Sequence, residues 1–307
     1  MAKVKSAYLN EIRGTVAKRL TFRKQKLKAD QTLQKIPVPS YTRTTAQDNV
    51  RRGYRRLCDI WKTADWLDKE VYANFAEKHE ITTFNSFLKY NMPVMSRKPV
   101  LYLSLDEGAG TTAHDFSEFQ NHGTIYGATW QKLRSGKNVL YFDGVDDKVT
   151  VHDSSSLDSI TKEITIIAWI WFGGVTENDY QRVVCKARGG WKVWTVWVYN
   201  DRSVFFNITS NGTNYYITTN NRVKYRDWSF LACVFDGDLH VYVDMQKESK
   251  TVGAVGIDTN DRDVVIGNCG NGDRPFNGLI AHISIYNRAL SESEIKKIYE
   301  TTKVLFE

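Results

Sequence analysis

Apolar residues recur along this chain in two rhythms, and the change falls near "NMPVMSRKPV", residues 91–100. Beyond it, runs such as "KVTVH", "ITIIAWIWF", "KVWTVWVY", "SVFFNIT", "WSFLACVFD", "LHVYVD" and "LIAHISIYN" are apolar at every second position or continuously. Period two marks a half-buried β-strand, because successive side chains leave opposite faces. Turns rich in Gly, Asn and Asp separate the runs, and Asp236-Gly237 predicts a hairpin. About a dozen short strands at this spacing predict a mainly β fold, a sandwich of two antiparallel sheets.

Before the change the spacing is helical. Val50, Tyr54, Leu57 and Trp61 form one apolar stripe on a helix starting near Thr45, with Arg51, Arg52, Arg55 and Arg56 off the stripe. A second helix is expected from Asp65 or Asp68 through Glu77, with Val71, Tyr72 and Phe75 inward. A third follows Thr82 or Thr83, buries Phe84, Phe87 and Leu88, and is expected to stop at Met92-Pro93, because proline disfavours helix in the residue before it. Three helices this short bury little surface alone, so they are expected to dock on something. Residues 1–43, with "AKRLTFRKQKLKAD" and "IPVPSYTRT", read as a basic extended arm. The predicted division is therefore arm 1–43, short-helix anchoring region 44–92, linker 93–99 and sandwich 100–302. Near the end, Ser291 and Glu294 predict a capping box, with Leu290 and Ile295 as its apolar staple.

Charge divides the chain at the same place. The formal net charge is +7, yet residues 1–98 carry 21 Lys and Arg against 9 Asp and Glu, and the remainder is net −5. The two parts are thus expected to meet different partners. Arg51, Arg52, Arg55 and Arg56 are candidate partner-anchoring residues, or a solvated helix face, and the basic arm is a candidate for non-specific nucleic-acid contact. No run of apolar residues reaches the length of a membrane span. The start lacks the apolar core of a secretory signal, so synthesis in the cytoplasm without ordinary secretion is expected. Cys58, Cys185, Cys233 and Cys269 form no metal-binding or redox pair; free thiols are expected, with a disulfide among the last three as the alternative.

Candidate ligand chemistry comes from aromatics. In "GGWKVWTVWVYN", Trp194, Val196 and Val198 share one strand face, while Trp191 and Trp197 point the other way with Val193 and Tyr199. With Tyr215 of "NGTNYY" they could form a stacking platform for sugar rings, or fill the core. Asn207 and Asn211 match the N-glycosylation pattern.

Several ordered motifs carry a resemblance. "LYLSLDEGAGTTAHDFSEFQNHGTIYGATW", "LYFDGVDDKVTVHDSSSLD", "WSFLACVFDGDLHVYVD", "DVVIGN" and "RPFNGLIAHISIYNRALSESEIKKIY" make residues 100–300 similar to laminin-G-like domains of the concanavalin A-like lectin/glucanase superfamily. The resemblance implies a jelly-roll sandwich that binds glycans or proteins. It also implies a Ca²⁺ at the sandwich rim, for which Asp115, Asn121 and Asp143 are the candidates, with ordinary turn roles as the alternative. The glucanase branch alternates Glu and Asp along one strand; no such run occurs here, so no catalytic residues and no enzyme activity are expected. Ala281 and His282 stand where an acidic pair is common in the family.

Residues 44–91 loosely resemble segments of small proteins from phages and archaeal viruses. Together these readings predict a non-enzymatic viral structural protein, made in the host cytoplasm and carried on the virion as a homo-oligomer. Its N-terminal region would attach to capsid or tail proteins, and its sandwich would face outward for glycan or host attachment or capsid decoration. The alternative is a cellular carbohydrate-binding adhesin.

Overall fold

The computed structural model describes residues 44–306 apart from 66, 68, 79, 188–192 and 255. The expected basic arm, Trp191, and the side chains of Val71 and Phe75 lie outside the described residues. The chain opens with α1 (Thr45–Thr63), α2 (Lys69–Lys78) and α3 (Thr83–Met95). At the start of α1 the Thr44 hydroxyl accepts from the Gln47 backbone N–H, and the Gln47 side chain accepts from the Thr44 N–H in return. These bonds satisfy N–H groups that have no partner within the helix.

Among the described residues sixteen strands follow: β1 (Leu101–Leu103), β2 (Thr112–Ala113), β3 (Gly123–Tyr126), β4 (Thr129–Lys132), β5 (Asn138–Asp143), β6 (Lys148–Val151), β7 (Ile164–Phe172), β8 (Tyr180–Lys186), β9 (Trp194–Tyr199), β10 (Ser203–Ser210), β11 (Thr213–Arg222), β12 (Trp228–Phe235), β13 (Leu239–Val243), β14 (Gln246–Lys250), β15 (Val264–Ile266) and β16 (Asn277–Tyr286). A one-turn α4 (Ser155–Asp158) sits between β6 and β7, and α5 (Glu292–Thr302) follows β16. The first sheet runs β14-β13-β12-β7-β16-β5-β4, with β1 also paired to β16; the second runs β11-β10-β9-β8-β15-β6-β3-β2. Every pairing between these strands is antiparallel, so the predicted sandwich is what the chain forms. Ile166, Ala168, Ile170 and Phe172 of β7 meet Trp194, Val196, Val204, Phe206 and Val264 of the second sheet in the core between the layers.

A second apolar cluster lies on the outer face of the first sheet. Ile167, Trp169, Phe230, Ala232, Val234 and Ala281 point away from the sandwich core and are covered by Leu57, Ile60, Phe87, Tyr90 and Val94 from α1 and α3 and by Ile295 and Ile298 from α5. The expected docking partner of the small helical region is thus the chain's own sheet. The apolar stripe of α1 is only partly used, however. Gly53, Leu57 and Ile60 are buried, whereas Val50 and Tyr54 are each 47% exposed. A side chain at Gly53 would begin 3.1 Å from the Met95 carbonyl, so α1 packs closely on the end of α3 at this glycine, while Val50 and Tyr54 face outward.

Pro93 does not end α3, contrary to the expected stop and linker start. The helix continues to Met95 with Ser96 as its cap. Val94 and Met95 are both buried in the outer cluster, and that packing holds the last turn despite the hydrogen bond lost at proline. The C-terminal expectation holds: Ser291 and Glu294 form the capping box of α5, and Leu290 and Ile295 join the same cluster. Trp169 closes this layer, stacking on Phe306 at 4.7 Å and donating its indole N–H to Thr302 Oγ1 at 2.9 Å.

Polar groups join the helices to the sheet at one buried point. Asp106 Oδ2 accepts from the Tyr72 hydroxyl at 2.7 Å and from Lys137 Nζ at 3.3 Å, while Ser104 bonds the other oxygen. The Tyr102 hydroxyl donates to Asn91 Oδ1 at 2.7 Å and lies 3.3 Å from His282 Nδ1. His282 adopts a left-handed φ of 55° where the β16 register breaks between Ala281 and Ser284, and this bulge turns its ring into the cluster. Burial opposes ionisation of Asp106, but Lys137, Ser104 and Tyr72 outweigh it and hold the carboxyl below its ordinary value. All four cysteines are free thiols.

Candidate functional site

The register of the second sheet defines its outer face. Thr124, Thr150, Val265, Cys185, Thr195, Asn207 and Tyr216 lie opposite one another in turn across seven strands. Beside this row of mostly small side chains stand two aromatic features, a group of stacked rings toward β11 and the single exposed ring of Tyr126 at β3.

The first is a stacked ladder, closed except at Tyr216, which is 42% exposed with Lys250 Nζ 4.6 Å from its ring centre. Trp197 lies parallel to Phe205 at 3.6 Å and 6°, and Phe205 continues to Tyr216 at 5.1 Å. On its other side Trp197 meets Tyr180 at 4.5 Å, with the Arg182 guanidinium 4.9 Å from the indole. Trp197 therefore points outward as expected, yet it is only 3% exposed and both ring faces are engaged. Tyr215 lies across from Ile208, one of the core-facing residues of β10, and packs on the core between the sheets. Tyr216, one residue later, takes the outward place. The structure thus puts Trp197 and Tyr215 on opposite faces of the second sheet. The two glycosylation-type sites also part: Asn207 is fully buried, and Asn211 is exposed at the β10–β11 turn.

The second lies in a groove of about 410 Å³ over β3, β6 and β15. Tyr126, 47% exposed, forms one wall, with Lys148 opposite it in the register and its Nζ 5.6 Å from the ring centre. Thr150 and Val265 form the floor, and His152 with residues 261–263 forms the far wall. That wall is fixed from beneath. Lys186, 1% exposed, bonds Asp153, the Arg262 carbonyl at 2.8 Å and Asp158 at 3.3 Å. Asp263 accepts from the Asp153 N–H at 3.0 Å and faces His152 Nδ1 at 3.5 Å; Arg262 Nε lies 3.7 Å from Asp261. An exposed aromatic ring, several polar donors and acceptors, and a pinned loop make a surface suited to a polar ring with an apolar side. The alternation of "KVTVH" is consistent with Lys148, Thr150 and His152 sharing one face, but nothing in the sequence singled them out as a site. Tyr126 and residues 261–263 could not be added from sequence, because only the sheet order brings them beside it.

The expected calcium residues separate into two places. Asp115 is fully buried, and its oxygens accept from the backbone N–H groups of Tyr102, Ser117 and Asn121 and from the Ser117 hydroxyl. Burial pushes its carboxyl up even against these donors. Asn121 uses its amide on the Val100 carbonyl and the Ser156 hydroxyl. Both are engaged in holding a turn and offer a cation little. Asp143 instead joins Asp146 and Asp147, with carboxylate oxygens within 4.8 Å of one another. Each of Asp143 and Asp147 gives one oxygen to a backbone N–H of the turn, at 2.8 Å. Asp147 is pushed up by burial and by the neighbouring carboxylates. This oxygen-rich trio fits a hard divalent cation; the Asp115–Asn121 turn does not.

Of the four arginines, Arg51, Arg52 and Arg55 are exposed on α1 beside Val50 and Tyr54. Arg56 is half-buried and donates to the Phe116 carbonyl at 3.3 Å, fastening the helix to the sandwich. Among the described residues no helix is long and apolar enough to cross a membrane.

Comparison with known proteins bears on residues from the sandwich onward. A laminin G family model, described as "Concanavalin A-like lectin/glucanases superfamily", matches residues 143–296. No curated protein matches the chain by sequence. Among solved structures, the binding domain of Paraclostridial Mosquitocidal Protein 1 superposes with a TM-score of 0.55 at 18% identity, covering 66% of this chain and 52% of that one. The botulinum neurotoxin serotype G binding domain gives 0.51 at 17%, covering 66% and 50%. Trypanosoma rangeli sialidase gives 0.52 at 16%, covering 67% and 33%. The chain spans about half the length of the toxin domains it matches and a third of the sialidase; at these identities the likeness is one of fold. With half of its length matched by the family model, and the two antiparallel sheets that the match requires in place, the chain belongs to the concanavalin A-like lectin/glucanases superfamily.

Proposed function

We propose that this protein is a non-enzymatic glycan-binding module whose sugar site is the groove between Tyr126 and residues 261–263. The observation that carries the reading is the contrast between the two aromatic features. Trp197 and Phe205 cover one another and are nearly fully buried, whereas Tyr126 is 47% exposed in a groove of polar side chains with a pinned wall. The fold family and the binding-domain neighbours support the same reading. The carboxylates beside the groove argue against glycoside hydrolysis. A general acid must be held protonated by apolar surroundings, and the Asp261 and Asp263 side chains are 89% and 39% exposed. Calcium, if bound, belongs at Asp143, Asp146 and Asp147, where it would stiffen the β5–β6 turn. A panel of immobilised glycans probed with the full chain tests the reading. Binding that disappears in Tyr126→Ala supports it, and a panel without any bound glycan opposes it.

A second reading concerns attachment. Arg51, Arg52 and Arg55 flank exposed Val50 and Tyr54, a basic surface with an apolar centre that suits an acidic protein partner. In that reading the module is a structural component of a larger assembly, a virion in the first instance, with a cellular adhesin as the alternative. Purified particles containing the chain should lose it when Arg51, Arg52 and Arg55 are all changed to Glu, and retention would oppose the attachment.

A further inference from the structure

The charges around the groove say more about the sugar. This step rests on the glycan-binding reading and narrows it. Both carboxylates of the far wall already have cationic or N–H partners: Asp261 lies 3.7 Å from Arg262 Nε, and Asp263 takes the Asp153 N–H and faces His152. Lys148 differs. Its Nζ sits 5.6 Å from the Tyr126 ring centre, and no carboxylate lies within ion-pair distance of it among the described residues. Among the described residues the groove lining carries two basic and two acidic side chains, and Lys148 is the one cation among them that stands outside any ion pair, with its ammonium over the exposed Tyr126 ring.

We infer that the groove takes a sugar ring bearing an anionic substituent, carboxylate or sulfate, with Tyr126 against the ring and Lys148 as the counter-charge. Register places these two residues directly opposite each other on β3 and β6, so a ring laid on Tyr126 carries its substituent toward Lys148. A lysine suits this task, because a compact ammonium on a flexible stem follows an anion whose orientation changes from sugar to sugar. The paired aspartates remain acceptors for neutral hydroxyls. An ionised partner makes each such contact stronger than a neutral one.

The test is calorimetric titration of the full chain with matched pairs: oligogalacturonate and its methyl ester, sialyllactose and lactose, sulfated and unsulfated galactan. In at least one pair the anionic member should bind about tenfold tighter or more, and the pair that shows the gap identifies the anion. Lys148→Met should collapse the gap and Lys148→Arg should keep part of it, while Tyr126→Ala should weaken both members. Equal binding within every pair, or a gap that survives Lys148→Met, overturns the inference and leaves the glycan reading standing. Absence of binding for all six ligands overturns the anionic-sugar inference, and the glycan reading then stands or falls with the immobilised panel.

Discussion

Trp197 and Phe205 lie face to face at 3.6 Å, on the side of the second sheet that a sugar would approach. Parallel stacking on adjacent strands uses up the ring faces that a carbohydrate needs. Aromatic residues on this surface thus fall into two kinds, and mutation separates them. Trp197→Ala removes a ring that is 3% exposed and should cost about 3–5 kcal/mol in urea unfolding. Tyr126→Ala should leave stability within about 0.5 kcal/mol while weakening glycan binding at least about tenfold. The reverse pattern would assign the site to the ladder.

The close packing of α1 at Gly53 makes a second prediction. Leu57→Ala should destabilise by about 2–5 kcal/mol, since Leu57 is fully buried under the first sheet's helical layer. Val50→Ser and Tyr54→Ser, on the same stripe of the sequence, should stay within about 0.5 kcal/mol. Gly53→Ala is expected to destabilise by more than either, because the added carbon meets the Met95 backbone at 3.1 Å.

Lys137 and Asp106 form a buried pair, each about 2% exposed. Removing the cation by Lys137→Met leaves a carboxylate without its counter-charge, which costs about 3–5 kcal/mol. The double variant with Asp106→Asn should recover much of that loss, and thermal unfolding of the four proteins in the cycle measures the coupling.

His282 makes stability depend on pH. Burial first, and Lys137 second, lower its pKa from 6.5 to about 3. As pH falls below 6.5 the unfolded chain binds a proton that the folded chain refuses, so the stability present at neutral pH is lost progressively toward pH 3. Between pH 6.5 and 5 the loss amounts to about 2 kcal/mol. His282→Asn, which tolerates the left-handed backbone, should remove this slope in urea unfolding at the two pH values.

Much of the fold was legible because it depends on local alternation. The parity of Trp194, Val196 and Val198 gave the core face of β9, and the Ser291–Glu294 spacing gave the start of α5. The groove was not legible in the sequence: "KVTVH" shows only an alternating strand. What stayed hidden depends on which strands become neighbours. Tyr215 and Tyr216 differ by one residue in register, and only the pairing with β10 decides which of them faces outward. The ladder draws its rings from β8, β9, β10 and β11, and the groove draws Tyr126 and Arg262 from distant segments. Whether Asp115 served as a metal ligand or a turn residue stayed open, because an acidic turn looks the same in sequence whether its oxygens are open or taken by backbone N–H groups. Pro93 read as a stop because its local cost was visible and the packing of Val94 and Met95 was not.

Amide hydrogen exchange of the full chain, free and saturated with the tightest-binding oligosaccharide, tests the location of the site most directly. Slowed exchange confined to residues 123–126, 148–152 and 261–266 is the predicted result. Protection at β9–β11 or at the 143–147 turn, with 123–126 and 261–266 unchanged, would contradict it.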